Sequence, residues 1–366
     1  MRILMAHWLM RRAGAQSVMS MLSEHFRAGG HQVDFVTTVE RGPNAAEFAA
    51  HCDELWHCGD SAEIPVADYL SEFQDGILRR NYEVFVTHHS HQGVAVAGLL
   101  PTRIATVSII HEHPVMGAGF VGLSNPDAFD AYVGVSRGVA SAVREIVGPD
   151  RRVTCILNGV RCGVCSERPP RADMRGLFVG RLTEQKGVLY LPQIVRAARR
   201  RGVPLQLTVL GDGEERAVLL REMRAQEVEP WIRILGNVPQ REVFAHMEEA
   251  DILLVTSRHE GLSLVIPEAM SRGCIPIATY LKESTAEIVT PRLDGFLVQS
   301  VTAFAEAIET LYRQPGFLRE MRKSARHTAS TRFSDRRMAE EYEALFTELL
   351  TLPQSRRRIQ NCPSFV

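Results

Sequence analysis

Short β-branched runs alternate along this chain with longer amphipathic segments, and that alternation narrows the architecture more than any single residue does. A strand, a crossover helix and a second strand return most readily to one parallel sheet with helices on its faces. Arg2–Trp8, His31–Thr37, Val84–His88, Ile104–Ile110, Ala131–Val135 and Val153–Leu157 read as strands of a first half. Gly176–Arg181, Leu205–Leu210, Ile232–Leu235, Ile252–Thr256, Ile275–Thr279 and Gly295–Val298 read as strands of a second. Between them, Arg161 to Asp173 is rich in Cys, Arg and Pro and has no clear period, which marks a linker. The expected fold is α/β: two Rossmann-like, doubly wound parallel-sheet domains facing across a cleft at the C-terminal ends of the strands. The expected divisions are residues 1–162, a linker 163–173, residues 174–332, a helix 333–350 and a polar tail 351–366.

Charge and cysteine content exclude several function classes. Basic and acidic residues balance at 42 against 43, so no overall field draws the chain to nucleic acid. No apolar run reaches the ~18–20 residues of a membrane span. His7 interrupts the apolar start, and Arg11-Arg12 come after it, the reverse of signal-peptide order. Seven cysteines form no framework and read as reduced thiols, so the expected location is cytoplasmic. Membrane contact at the inner face is not indicated, because the N-terminal helices lack a basic and aromatic face. Arginine supplies nearly all the positive charge, and the only lysines are Lys186, Lys282 and Lys323.

The strongest chemical signal is Ser257 to Gly273, which comes after a buried strand and reads SRHEGLSLVIPEAMSRG. Glu260 and Glu268 are separated by seven residues. Pro267 suits a first helical position, so Gly261–Ile266 reads as a loop whose amides open toward a helix N-terminus. Carboxylates on either side of an anion site fit a ligand that alternates hydroxyl, anion and hydroxyl. A plain helix start, with Glu268 favoured by the dipole, fits the same residues.

This Glu-x7-Glu segment resembles that of the retaining GT-B nucleotide-sugar glycosyltransferases, glycosyltransferase family 4, departing from it at Ser271. The resemblance implies that Glu268 binds the ribose hydroxyls and Glu260 lies by the donor sugar. It implies that Gly261, Leu262, Ser263, Leu264 and Val265 hold the sugar and β-phosphate through their amides. Gly180-Arg181 together with Lys186-Gly187 resembles the family's diphosphate clamp, which gives Arg181 and Lys186 a role against the leaving phosphate. Gly211-Asp212-Gly213 resembles its Gly-x-Gly turn, and Leu235-Gly236-Asn237-Val238 the loop that meets the nucleobase. Asn158-Gly159-Val160 resembles its Asn-Gly-Val-Asp, with Arg161 in place of Asp. Phe333-Ser334 resembles its closing Phe-Ser, before a helix that crosses back to the first domain.

The first half is less typical. Of the family's paired glycines after the first strand, Arg12-Ala13-Gly14-Ala15-Gln16 keeps only Gly14, a donor-phosphate contact by resemblance. His111, at a strand end, matches a histidine placed beside the transferred sugar. His88, His89, His91, His111 and His113 raise the thought of a metal, but the resemblance implies no metal and no other cofactor. The loop 282–286 lacks the family's Gly-Gly turn, although Glu287 is kept. The resemblance as a whole implies a retaining, metal-independent hexosyltransferase-type enzyme of polysaccharide or glycoconjugate synthesis. Its donor is a nucleotide sugar, UDP or GDP first, and its acceptor is a hydroxyl on a glycan, lipid or small aglycone. A GT-B sugar-nucleotide epimerase and a catalytically silent binding partner are the alternatives. A dinucleotide oxidoreductase is excluded because Ala13–Met19 lacks G-x-G-x-x-G.

Overall fold

A computed structural model describes residues 1–11, 14–59, 65–112, 117–163 and 171–353. The chain divides into two units, one made of Met1–Gly159 with Asp335–Val366, the other of Val160–Ser334.

The first unit holds a seven-stranded, all-parallel sheet: β1 (Arg2–His7), β2 (Gln32–Thr37), β3 (Glu54–His57), β4 (Val84–His88), β5 (Ala105–Ile110), β6 (Ala131–Gly134) and β7 (Val153–Cys155). Their order is 3-2-1-4-5-6-7. Every residue of β4 and β5 is buried, as expected of parallel strands covered by helices on both faces. β3 has no counterpart among the strands expected from the sequence. It is an edge strand paired only with β2, and its Glu-Leu-Trp-His run is too short and too polar for a buried pattern. Its Trp56 instead packs edge-on against Phe73 and under the Arg80 guanidinium, 4.6 Å from the ring centre.

The second unit holds six parallel strands: β8 (Met174–Val179), β9 (Leu205–Leu210), β10 (Ile232–Gly236), β11 (Ile252–Val255), β12 (Ile275–Thr279) and β13 (Phe296–Val298), in the order 10-9-8-11-12-13. Both sheets therefore reverse direction once, beside β1 in the first and beside β8 in the second. Such switch points open a crevice at the C-terminal strand ends, where ligands collect in open α/β sheets.

The last long helix, Asp335–Thr351, belongs to the first unit. Phe346 meets Phe26 of helix Gly14–Ala28 with ring centres 5.7 Å apart, and Tyr342 beside it is fully buried. His31 Nε2 lies 2.9 Å from Glu343 Oε1, and the Met338 sulfur accepts the Gly159 amide. Residues 164–170 of the expected linker, His113 and the tail beyond Pro353 lie outside the described residues.

Candidate active site

In the second unit, the switch point gathers most of the residues singled out in the sequence. β8 runs beside β11, with Gly176 opposite Ile252 and Leu177 opposite Leu253. The turn after β8 and the loop after β11 consequently emerge side by side. Three contacts lock them: Thr256 Oγ donates to the Lys186 carbonyl at 2.7 Å, Arg258 N to the Gln185 carbonyl at 2.8 Å, and Gln185 Nε2 to the His259 carbonyl at 3.2 Å. Gly187, at φ 61°, passes so close that a Cβ there would lie 2.2 Å from the Thr256 carbonyl oxygen.

This backbone contact places Lys186 Nζ 2.5 Å from Glu260 Oε1, a part-buried ion pair at 19% and 10% side-chain exposure. Ser257 Oγ donates to the same oxygen at 2.6 Å. Among the described residues both bonds fall on Oε1, so Oε2 of Glu260 is the oxygen left for a ligand. Arg181 stands exposed just after β8 on the same turn. Ser257 carries no role in the sequence reading, because a hydroxyl three residues before an acid is too common a pattern to single out.

Gly180, Gly211 and Gly236 close the neighbouring strand ends into one surface. Gly180 N donates to the Leu210 carbonyl and Gly211 N to the Gly236 carbonyl, at 3.0 and 2.8 Å. Gly211 sits at φ 131°, and a Cβ there would meet the Gly180 carbonyl oxygen at 1.9 Å. Val238 is half-buried on the loop after β10.

Helix Val265–Ser271 begins earlier than the sequence suggests. Pro267 is its third residue rather than its first. That position is tolerated because amides in the opening turn have no intrahelical partner. Leu264 is the N-cap and Gly261–Ser263 form the loop before it, so Val265 is helical rather than in the loop. Burial pushes the Glu268 carboxyl up to about 7, with the Arg272 charge pulling the other way. Arg272 is itself buried, donates to the Glu268 carbonyl at 3.1 Å and stacks 3.6 Å from the Phe244 ring centre. Ser271, the departure from Ala, has a use here: its Oγ donates to the Glu268 carbonyl at 2.7 Å and accepts from Arg272. The atypical loop 282–286 is closed by a side chain in place of glycines. Thr285 Oγ donates to the Thr279 carbonyl at 2.6 Å and accepts from the Leu281 amide at 2.9 Å.

The first unit has its own polar cluster at the β1/β4 switch point. His7 ends β1 directly in register with His88 at the end of β4. His88 Nδ1 lies 2.9 Å from Nε2 of His111, just past β5, and His89 meets His111 edge-on at 5.2 Å. Helix Gly14–Ala28 starts at exposed Gly14 and brings in buried Gln16. Gln16 Nε2 donates to the Leu9 carbonyl at 3.1 Å and lies 3.5 Å from His7 Nδ1. Leu9 N donates to that same nitrogen, which puts the His7 proton on Nε2. Burial depresses all four imidazoles, His7 to about 3, His89 to about 4, and His88 and His111 far below the usual range; the Arg11 charge adds to this at His7 and His89, and crowding by the other rings adds to it at His88 and His111. At neutral pH these rings are uncharged hydrogen-bonding groups. Of the four, only His111 has a role legible in the sequence; the register of His7 with His88 is a property of the sheet. Among the described residues, no three His, Cys, Asp or Glu side chains converge in a metal-binding arrangement. No described helix is long and apolar enough to cross a membrane.

Residues 12–163 match the family model described as Glycosyltransferase Family 4, and residues 174–314 match that of the Glycosyl transferases group 1. An exopolysaccharide phosphotransferase of Streptomyces coelicolor is 27% identical over 79% of this chain. The amylovoran biosynthesis glycosyltransferase AmsD of Erwinia amylovora is 34% identical over 35% of it. The chain spans about a third of the length of each, 31% and 35%. Among solved structures, Anabaena HepE in complex with UDP superposes with a TM-score of 0.80 at 17% identity, covering 95% of this chain and 100% of that one. The last likeness is one of fold.

Proposed function

Because the chain belongs to the GT-B glycosyltransferases of family 4 and group 1, we propose that it moves a sugar from a nucleoside-diphosphate donor to an acceptor hydroxyl with retention of configuration. The observation that carries this reading is the Lys186–Glu260 pair at the β8/β11 switch point, with Arg181 on the same turn and Glu268 on the next helix. Two cations and a run of loop amides suit a diphosphate, and a carboxylate at each end of the loop suits the hydroxyls on either side of it.

In this reading Glu268 accepts from the ribose hydroxyls, and Gly211 and Val238 border the nucleoside. Gly180 and Gly14 allow backbone to approach the phosphates, and the amides of Gly261 through Val265 hold the sugar and β-phosphate. The acceptor hydroxyl attacks on the face from which the diphosphate departs, and a phosphate oxygen takes its proton. Arg181 and Lys186 steady the charge that gathers on the leaving group. By the family resemblance, Glu260 of the second unit and the uncharged His111 of the first are each assigned to the sugar, where positive charge develops. With two cations on the diphosphate, no metal is required, so turnover should survive a chelator. UDP is the first donor to test, since HepE was solved with it. The acceptor is a hydroxyl of a glycan, a lipid-linked sugar or a small aglycone.

The test is thermal stabilisation by UDP, GDP, ADP and dTDP, with Glu268→Ala and Lys186→Ala alongside. Ligand at ~100 times its Kd adds about 2.7 kcal/mol to the fold that binds it. A shift with one nucleotide, lost in both variants, supports the site and selects the donor class. No shift with any of the four refutes the donor reading. The anomeric configuration of the product, read by NMR, decides retention independently.

A further inference from the structure

The histidine cluster of the first unit contains a constraint that its residues do not show one at a time. His88 is fully buried, and its ring and that of His111 lie 5.2 Å apart between centroids with planes 24° from parallel. The bond between them runs from His88 Nδ1 to His111 Nε2. A neutral imidazole has one N–H and one lone pair. If His88 donates, it is protonated on Nδ1, and His111, accepting at Nε2, is protonated on Nδ1 as well. If His111 donates from Nε2, His88 is likewise protonated on Nε2. Both rings therefore always carry the proton on the same-named nitrogen, and one cannot change tautomer without the other.

We propose that His88 is the positioning residue for His111, the ring-to-ring bond leaving Nδ1 as the nitrogen that His111 offers to a ligand. This rests on the reading that His111 faces the transferred sugar. The chain goes to some length to build the pair. His89 adopts φ 49°, a left-handed conformation unfavourable for a side-chain-bearing residue, and this turn sets consecutive rings, His88 and His89, both against His111. His88 Nε2 is buried and meets no hydrogen-bond partner among the described residues, as is also true of His89 Nε2. A purely structural histidine would have that atom satisfied. Here the free end of His88 is coupled through two rings to Nδ1 of His111. A sugar hydroxyl donating to His111 Nδ1 fixes His88 with its proton on Nε2, and one accepting from His111 Nδ1 fixes the reverse. The groups that oppose a positive charge on the pair are His7, His89 and, acting on those two, Arg11.

The experiment is histidine-selective 15N NMR on the full chain at neutral pH, with His88 and His111 assigned by substitution. The expected result is the same neutral tautomer, in the same proportion, in both rings. His88→Phe keeps a ring but no partner, so the tautomer ratio of His111 should shift towards that of a free imidazole; His88→Asn, whose amide can still donate or accept, should restore it. Donor hydrolysis should change in parallel: kcat falls at least about tenfold in His88→Phe with the donor KM little changed, and His88→Asn recovers most of it. Different tautomers in the two rings, or a His111 signal unmoved in a folded His88→Phe, overturns the proposal. Should the tautomer result hold while His111→Ala turns over normally, the placement of His111 at the sugar fails and the positioning of its ring by His88 stands.

Discussion

Glu268→Gln is the substitution with the most to say about the donor site. The carboxyl is held at about 7 against an ordinary 4.5, because burial penalises its charge more than Arg272 relieves it. In the proposed reading Glu268 accepts from both ribose hydroxyls, which requires the ionised carboxylate, so the donor should bind that form. That form makes up about a tenth of the protein near pH 6 and about nine-tenths near pH 8, so affinity should rise roughly tenfold between them. The ligand-free fold should show the opposite slope. A raised pKa contributes stability that is complete below about pH 4.5 and is lost as pH rises through about 7, here on the order of 3 kcal/mol. Glu268→Gln removes both slopes. It should be more stable than the parent at pH 8 without ligand, yet bind the donor about 10–100-fold more weakly there, since hydrogen bonds to a charged acceptor are worth about 1.5–3 kcal/mol. Calorimetric titration with a nucleotide sugar measures this cleanly, because its diphosphate diester has no proton to lose in that range. A flat parent profile, or a slope that survives in Glu268→Gln, would show that ionisation of Glu268 does not govern donor binding.

Three further outcomes are expected. Lys186→Met should lower kcat by about 30- to 1000-fold, the 2–4 kcal/mol of a lost oxyanion partner, and a parent-like rate in a folded variant would remove the lysine from the clamp. The same variant leaves Glu260 part-buried with only Ser257, so adding Glu260→Gln should restore melting temperature; additive losses would show that the pair is not coupled. Gly211→Ala should cost about 2 kcal/mol or more in chemical denaturation, since its Cβ would lie 1.9 Å from the Gly180 carbonyl oxygen; a cost below about 0.5 kcal/mol would mean that these strand ends move apart easily.

The residues legible in the sequence are those whose chemistry is tied to a local pattern. Lys186 and Glu260 are 74 positions apart, yet each sits in a segment whose strand-to-loop character can be read directly, and parallel pairing of β8 with β11 does the rest. The start of helix Val265–Ser271 lies two residues before the position that Pro267 suggests, because Pro is acceptable anywhere in an opening turn. The loop 282–286 looks anomalous only where glycine is expected; the Thr285 hydroxyl performs the same closure by hydrogen bonding. His88 cannot be distinguished from its neighbours in the sequence, because its importance depends on the register of two strands and on a left-handed turn at His89. Pattern reading fails at such positions, since long-range pairing decides which of several histidines share a face.

The closing helix has a consequence for how the protein is made. Phe26 emerges early, but its cover, Phe346, is synthesised only after the whole second unit, whose two ends are bridged by the Val160 amide bonded at 2.7 Å to the Phe333 carbonyl. At about 5–20 residues per second, the apolar stripe of the first helix waits on the order of ten to sixty seconds for its partner. Residues 160–334 thus interrupt a host unit whose sheet is made first and whose closing helix is made last. The first sheet is therefore complete in sequence long before the helix that covers it, and the order of synthesis places the whole second unit between them.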